Sequence, residues 1–151
     1  MRTIEREIVA AMIYSKDSKL LLGKKNPDSG GVYIDCWHIP GGGIDNGEDR
    51  LSAIQREIKE ETGIDASVYR AELIDDKGRG ESEKTLKTGE KINCKMKFLV
   101  YRVDIADKNS EEIELDLADD LEKAIWVEKY ELKTLKLTPP SVTLFKRLKL
   151  I

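Results

Sequence analysis

Glu57, Glu60 and Glu61 are the residues whose types and spacing best suit chemistry. On a helix turning about 100° per residue, Glu61 lies roughly 40° from Glu57 on one side and Glu60 roughly 60° on the other, so three carboxylates share one sector. Ile54, Ile58 and Leu51 fall about 60° to 120° from Glu57 on the same wheel. The acidic sector therefore borders the buried stripe instead of occupying the far, solvated face. Like charges at these spacings repel by roughly a few tenths of a kcal/mol per exposed pair, and by more where water is partly excluded. Arg56 and Lys59 offset part of this, and a divalent cation offsets it better. Clustered hard oxygen ligands suit Mg2+ or Mn2+ rather than zinc, and the single histidine, His38, provides no histidine-based zinc set. Judged on charge alone, the competing reading is a plain solvated acidic face.

Pro40-Gly41-Gly42-Gly43 precedes this helix. Without side chains there, the backbone can approach both a ligand and the helix, and a main-chain carbonyl can complete a metal shell. The run is not a phosphate-cradling P-loop, because no Gly-Lys-Ser/Thr follows it.

Gly42, five residues, Glu48, seven residues, then Arg56-Glu57-Ile58-Lys59-Glu60-Glu61-Thr62-Gly63-Ile64 fill a fixed frame. The frame resembles the Nudix signature G-x5-E-x7-R-E-U-x-E-E-x-G-U, where U is a bulky aliphatic residue, and every specified position is occupied. The lead-in from Trp37 to Gly42 is similar as well. The resemblance implies an α/β fold, a Nudix-type α/β/α sandwich with a mixed central β-sheet, in a single domain over residues 1–151. It also implies a Mg2+- or Mn2+-dependent hydrolase of nucleoside diphosphate-linked substrates. Glu57 and Glu61 would bind the metal, with Glu60 as a third or water-mediated ligand and the carbonyl of Gly41 helping. Arg56 would hold Glu57 or Glu60, Glu48 would pair with Arg56, and Ile58 and Ile64 would pack beneath the loop. These outer contacts matter because a ligand must be oriented before it is useful. The water's proton would go to Glu57 or Glu60, with Asp119, Asp120 and Glu122 as loop candidates. Asp120 stands where relatives often carry a glutamate. Lys25 ends a strand where relatives often place a base near the phosphates, although an edge lysine is commonly a solvated charge. Gly42 allows close approach of substrate, and Tyr33 is a candidate to stack on a base.

The elements that must position these residues follow from periodicity. Residues 8–14 form a nearly unbroken apolar run, expected as a strand covered on both faces, and residues 20–25 form a second strand. Residues 48–62 read as the helix, with Gly63 at the left-handed C-terminal position. Residues 66–74 read as a strand and residues 75–90 as a long polar loop. Ile92, Cys94, Met96 and Phe98 alternate with polar residues, a half-buried strand continuing to Tyr101. Residues 124–127 form a short strand, and residues 128–135 a helical turn or two. Thr138 caps a last helix with Pro139 at its first position, docking through Val142, Leu144, Phe145 and Leu148.

With 151 residues, 26 basic against 29 acidic, the chain suits one domain without the cationic excess of a nucleic-acid binder. A small nucleotide is the expected partner, not polymeric nucleic acid. Cys36 and Cys94 make no disulfide framework. No apolar run nears the ~20 residues of a membrane helix, and the first residues lack a signal-type apolar segment. These features point to a cytoplasmic monomer or homodimer with no membrane partner. ADP-ribose-cleaving relatives tend to carry a proline well past the signature, and diadenosine-polyphosphate-cleaving ones a tyrosine. Here residues 78 and 79 are Gly and Arg, and residues 76–82 include no tyrosine. That leaves a nucleoside triphosphate pyrophosphohydrolase releasing a nucleoside monophosphate and pyrophosphate. The alternatives are an ADP-ribose or nucleotide-sugar hydrolase and a non-catalytic nucleotide sensor.

Overall fold

The apolar run at residues 8–14 needs cover on both faces, and the computed structural model, which describes residues 1–29, 33–118 and 121–151, supplies it. Strand β1 (Arg2–Tyr14) pairs in parallel with β6 (Lys91–Asp104) along its whole length, from Arg2 opposite Ile92 to Tyr14 opposite Asp104. On its other side β1 meets β4 (Gly41–Gly43) at Ile8–Ala10 and β2 (Leu20–Lys25) at Tyr14, both antiparallel. β2 in turn pairs with β3 (Trp37–His38) and β7 (Leu121–Val127), and β5 (Ala71–Thr85) closes the far side against β6. The result is a mixed seven-stranded sheet.

Side chains alternate across a strand, so the two faces of β1 feed two cores. Val9, Ala11 and Ile13 join Leu99, Tyr101 and Val103 beneath Ala53, Ile54 and Ile58 of α1 (Arg50–Thr62). Met12, Leu20, Leu22 and Val100 pack against Leu144 and Phe145 of α2 (Pro139–Arg147). The expected α/β layering, a helix on either side of a mixed sheet, is present. Thr138 caps α2 through the N–H of Ser141, as its sequence implies. Cys36 and Cys94 are buried free thiols. Among the described residues no helix is long and apolar enough to cross a membrane.

Several boundaries differ from the sequence reading. Residues 75–85 are strand, not loop. β5 lies at the sheet edge with mostly exposed side chains, and its register shifts near Asp75, so no two-residue apolar alternation survives to be read. Only residues 86–90 turn, with the N–H of Leu86 donating to the Glu90 carbonyl at 2.8 Å. The strand expected from residue 66 begins at Ala71, after a helical turn, Ala66–Val68, capped by Asp65. α1 starts at Arg50, not at residue 48, because the Asp49 carboxylate accepts from the N–H of Ser52 at 2.7 Å and caps the helix there. Leu51, expected in the buried stripe, is 48% exposed, since the first turn of α1 faces an open groove.

One ion pair ties the sheet edge to α2. Arg147 reaches the buried Asp75 carboxylate with two bonds, 2.8 and 2.7 Å. The guanidinium holds that carboxyl below the usual range. Arg147→Ala strands the charge and is expected to cost about 3 kcal/mol in urea unfolding at neutral pH. A depressed pKa gives stability that is present above the unfolded value and lost as pH falls through the folded one. The gap between variant and parent therefore narrows on acidification, and a gap that ignores pH would refute the pairing as its source.

Candidate active site

α1 follows a glycine strand that packs on β1, and the two together bring the acidic residues to the sheet edge. The helix ends at Gly63, whose φ of 79° is left-handed and whose N–H donates to the Lys59 carbonyl at 3.0 Å. Thr62 Oγ1 bonds back to the Ile58 carbonyl at 2.6 Å and accepts the Ile64 N–H, fixing the last turn. Ile58 and Ile64 are buried in the core under it.

Two of the three acids converge. Glu61 is only 3% exposed, and one of its oxygens accepts the Gly41 N–H at 2.9 Å. Glu57 has a side chain 13% exposed and lies under Gly42. A Cβ on Gly42 would fall 2.6 Å from the Glu57 carboxyl carbon, and one on Gly41 would fall 2.7 Å from Ala10 Cα in β1. The missing side chains are what allow strand, glutamate and helix to meet. Burial raises the Glu57 carboxyl above its ordinary value, Arg56 opposes the shift, and Glu60 adds to it. Glu60 does not join the other two. Its side chain is 46% exposed and turns back one helical turn to Arg56, at 3.1 Å. Among the described residues no three His, Cys, Asp or Glu side chains close as a metal-holding group. The donor set still fits a hard dication of the Mg2+ type, which binds through one or two carboxylates and keeps its other positions for water and substrate oxygens. Two adjacent, nearly buried carboxylates against a bare backbone are such a set.

Arg56 is the hub. It forks onto Glu48 at 2.7 and 3.0 Å, reaches Glu57 at 3.0 Å, and donates to the Gly43 carbonyl at 3.0 Å. Asp45 lies 3.4 Å away, a contact that sequence spacing did not suggest. The guanidinium keeps Glu48 below the usual carboxylate range, and Glu48 in turn raises the arginine. Glu48 also accepts the Asp45 N–H at 3.1 Å, so one pair ties the loop to the helix.

Lys25 is exposed beside a register shift at the end of β2, and Glu122 is exposed on β7. Tyr33 is 45% exposed and makes no hydrogen bond among the described residues. Asp119 and Asp120 lie outside the described residues; before them, the N–H of Ala118 donates to the Glu61 carbonyl at 3.3 Å. Sequence reasoning missed Arg6, whose guanidinium lies against Gly43. Only the β1–β4 register brings those two together, and no local signal carries it.

The NUDIX domain profile matches residues 5–148. An RNA pyrophosphohydrolase of Novosphingobium aromaticivorans is 36% identical over 63 residues, 42% of this chain and 37% of that relative. The matched stretch thus spans well under half of that curated relative. The fold is similar to that of the MutT protein from Methanosarcina mazei Go1, with TM-score 0.71 and 20% identity over 99% of this chain and 96% of that one. It is also similar to the NUDIX domain of Shewanella oneidensis NrtR solved with ADP ribose, with TM-score 0.67 and 14% identity over 97% and 87%.

Proposed function

We propose that this chain, which belongs to the NUDIX domain family, is a single-domain, divalent-metal-dependent pyrophosphohydrolase that cleaves nucleoside triphosphates to a monophosphate and pyrophosphate. The observation that carries the reading is the pair Glu57 and Glu61 brought together, almost free of water, under Gly41 and Gly42. Glu57, Glu61 and the Gly41 carbonyl would hold Mg2+ or Mn2+, with Glu60 linked through water. When bound, such an ion neutralises diphosphate charge and acidifies water. Water adds to phosphorus as the anhydride P–O bond breaks toward pyrophosphate, and the water's proton passes to Glu57 or Glu60. Arg56 keeps Glu57 oriented through the Glu48 fork. The two buried free thiols favour a reducing, cytoplasmic setting.

A second reading has specific support. The resemblance to an RNA pyrophosphohydrolase favours an RNA substrate, and RNA carries a phosphoric anhydride only at a diphosphate, triphosphate or capped end. A chain with 26 basic and 29 acidic residues has no cationic excess to hold the rest of the strand, which limits the contact to that end.

A panel of nucleoside triphosphates, ADP-ribose and 5′-triphosphate RNA tests both. Released phosphate is measured with and without an added inorganic pyrophosphatase, and, for ADP-ribose, with an added phosphomonoesterase that frees phosphate from the monoester products. Turnover is expected with Mg2+ and abolished by excess EDTA, with phosphate appearing only after the pyrophosphatase. Tight nucleotide binding without turnover in Mg2+ or Mn2+ would overturn the hydrolase reading in favour of a sensor.

A further inference from the structure

β5 ends the sheet, and its outer edge carries charges of both signs that a single copy leaves unmatched. Among the described residues β5 pairs only with β6, and from Gly78 to Thr85 that pairing is regular. The other edge of this stretch offers a row of backbone donors and acceptors to a further strand. Asp76, Lys77, Arg79, Glu81, Glu83 and Lys84 are all exposed, and none makes an ion pair among the described residues. Arg79 donates instead to the Asp76 and Gly78 carbonyls, at 2.7 and 2.8 Å, and Glu81 accepts from the Asn93 amide.

The order of these charges is antisymmetric about Gly80. Counting outward from that glycine, Arg79 answers Glu81, Gly78 answers Ser82, Lys77 answers Glu83 and Asp76 answers Lys84. In a two-fold contact residue i meets j and j meets i. A second copy laid antiparallel along the edge, with the axis through Gly80, therefore sets every one of these charges against its opposite. An axis moved one residue to Arg79 sets that arginine against itself, and one moved to Glu81 does the same to the glutamate. Opposite charges facing each other favour a strand pair, and like charges disfavour it. An edge charged only for protection repels its own copy in every register. This one repels in the neighbouring registers and attracts in one. The centre also suits close approach, because Gly80 puts no side chain at the axis. The half-buried Phe98 ring lies against Gly80, 3.0 Å from where a Cβ there would be, so apolar surface adjoins the axis. The Arg79–Glu81 match falls inside the regular stretch, whereas the outer matches reach the register shift between Asp75 and Gly78.

We infer that two copies of this chain join edge to edge through β5, antiparallel about Gly80, so that their sheets run on as one. The occupant of the edge is a second copy because the charge sequence complements itself. Arg79 leaves the backbone carbonyls for Glu81 of the second copy, and the carbonyls turn to the second copy's N–H groups. β6 and β1 separate this edge from the glycine strand β4 that holds the acidic site, so the inference does not depend on what that site does.

The test is sedimentation equilibrium of the whole chain at low salt, over micromolar to millimolar protein. The parent is expected to form a dimer that loosens as salt is added, since exposed charges are screened. Arg79→Glu makes the centre of the edge wholly acidic, and Glu81→Arg makes it wholly basic. Each alone should weaken self-association about 10- to 100-fold. Mixed in equal amounts, the two variants should associate at least as tightly as the parent, because each supplies the charge the other lacks. The double variant Arg79→Glu/Glu81→Arg exchanges the signs in one chain and should dimerise as the parent does. Both positions are exposed, and melting temperatures of the dilute variants matched to the parent exclude a folding defect. Three results would each overturn the inference: a dimer that survives both single reversals, a mixture that does not associate, or a parent that is monomeric at every concentration. The last would leave the edge to a strand of a different protein.

Discussion

Replacing Glu57 by glutamine is expected to lower kcat about 1000-fold and leave the fold intact. The amide keeps the shape and can still meet Arg56, so the helix and glycine strand stay in register. What is lost is a charge held nearly out of water beside Glu61. That charge is needed whether Glu57 orients a cation or accepts the proton, and either loss costs on the order of 10²- to 10⁴-fold. Stability distinguishes this from simple damage. Burial raises the Glu57 carboxyl. A carboxyl raised on folding binds its proton more tightly in the native state, so its contribution to stability is lost as pH rises through the folded value. In EDTA at neutral pH, Glu57→Gln should therefore melt no lower than the parent. Added Mg2+ should raise the parent's Tm and leave the variant's nearly unmoved, because an ion stabilises only the state that binds it. Glu60→Gln, measured beside it, separates the two candidate bases: the true acceptor loses the acid limb of the kcat profile. A Glu57→Gln enzyme with near-parental kcat, or one that answers Mg2+ as the parent does, would remove Glu57 from the reaction.

How far the site could be read in advance depended on how local each interaction is. Gly63 at the end of α1 and Thr138 and Pro139 at the start of α2 depend on neighbours within a few residues and were legible, whereas the Arg56–Glu48 pair, eight residues apart, was implied only by the signature the chain resembles. The buried stripe of Ile54 and Ile58 was legible too. Positions that depend on distant strands were not. The polar sequence of β5 becomes strand only because β6 lies beside it, and Arg6 meets Gly43 only because β1 pairs with β4. The helical wheel set Glu57, Glu60 and Glu61 in one sector but treated them alike. Arg56, one turn before Glu60, draws that side chain outward, while Gly41 and Gly42 hold the other two in.

That same arginine carries the other large effect. Arg56→Ala leaves Glu48, Glu57, Glu60 and Asp45 without their shared cation. Its side chain is 25% exposed and the Glu48 side chain 15%, so the lost pair is only partly screened by solvent. Breaking this partly exposed, forked pair lowers the unfolding free energy, because four carboxylates lose the cation they share. The loss also frees Glu57 and detaches the Gly43 carbonyl, and misplacement of about 1 Å costs on the order of 100-fold in rate. Arg56→Lys retains charge but cannot span Glu48, Glu57 and the carbonyl at once, so it should recover much of the stability and little of the rate. The double variant Arg56→Ala/Glu48→Gln removes the stranded carboxylate along with its partner. Its unfolding free energy should return part way toward the parent, while its kcat stays down, because no group then orients Glu57. If rate and stability instead recover together in the double variant, Arg56 serves only to neutralise charge, and the orientation of Glu57 must come from the glycine strand alone.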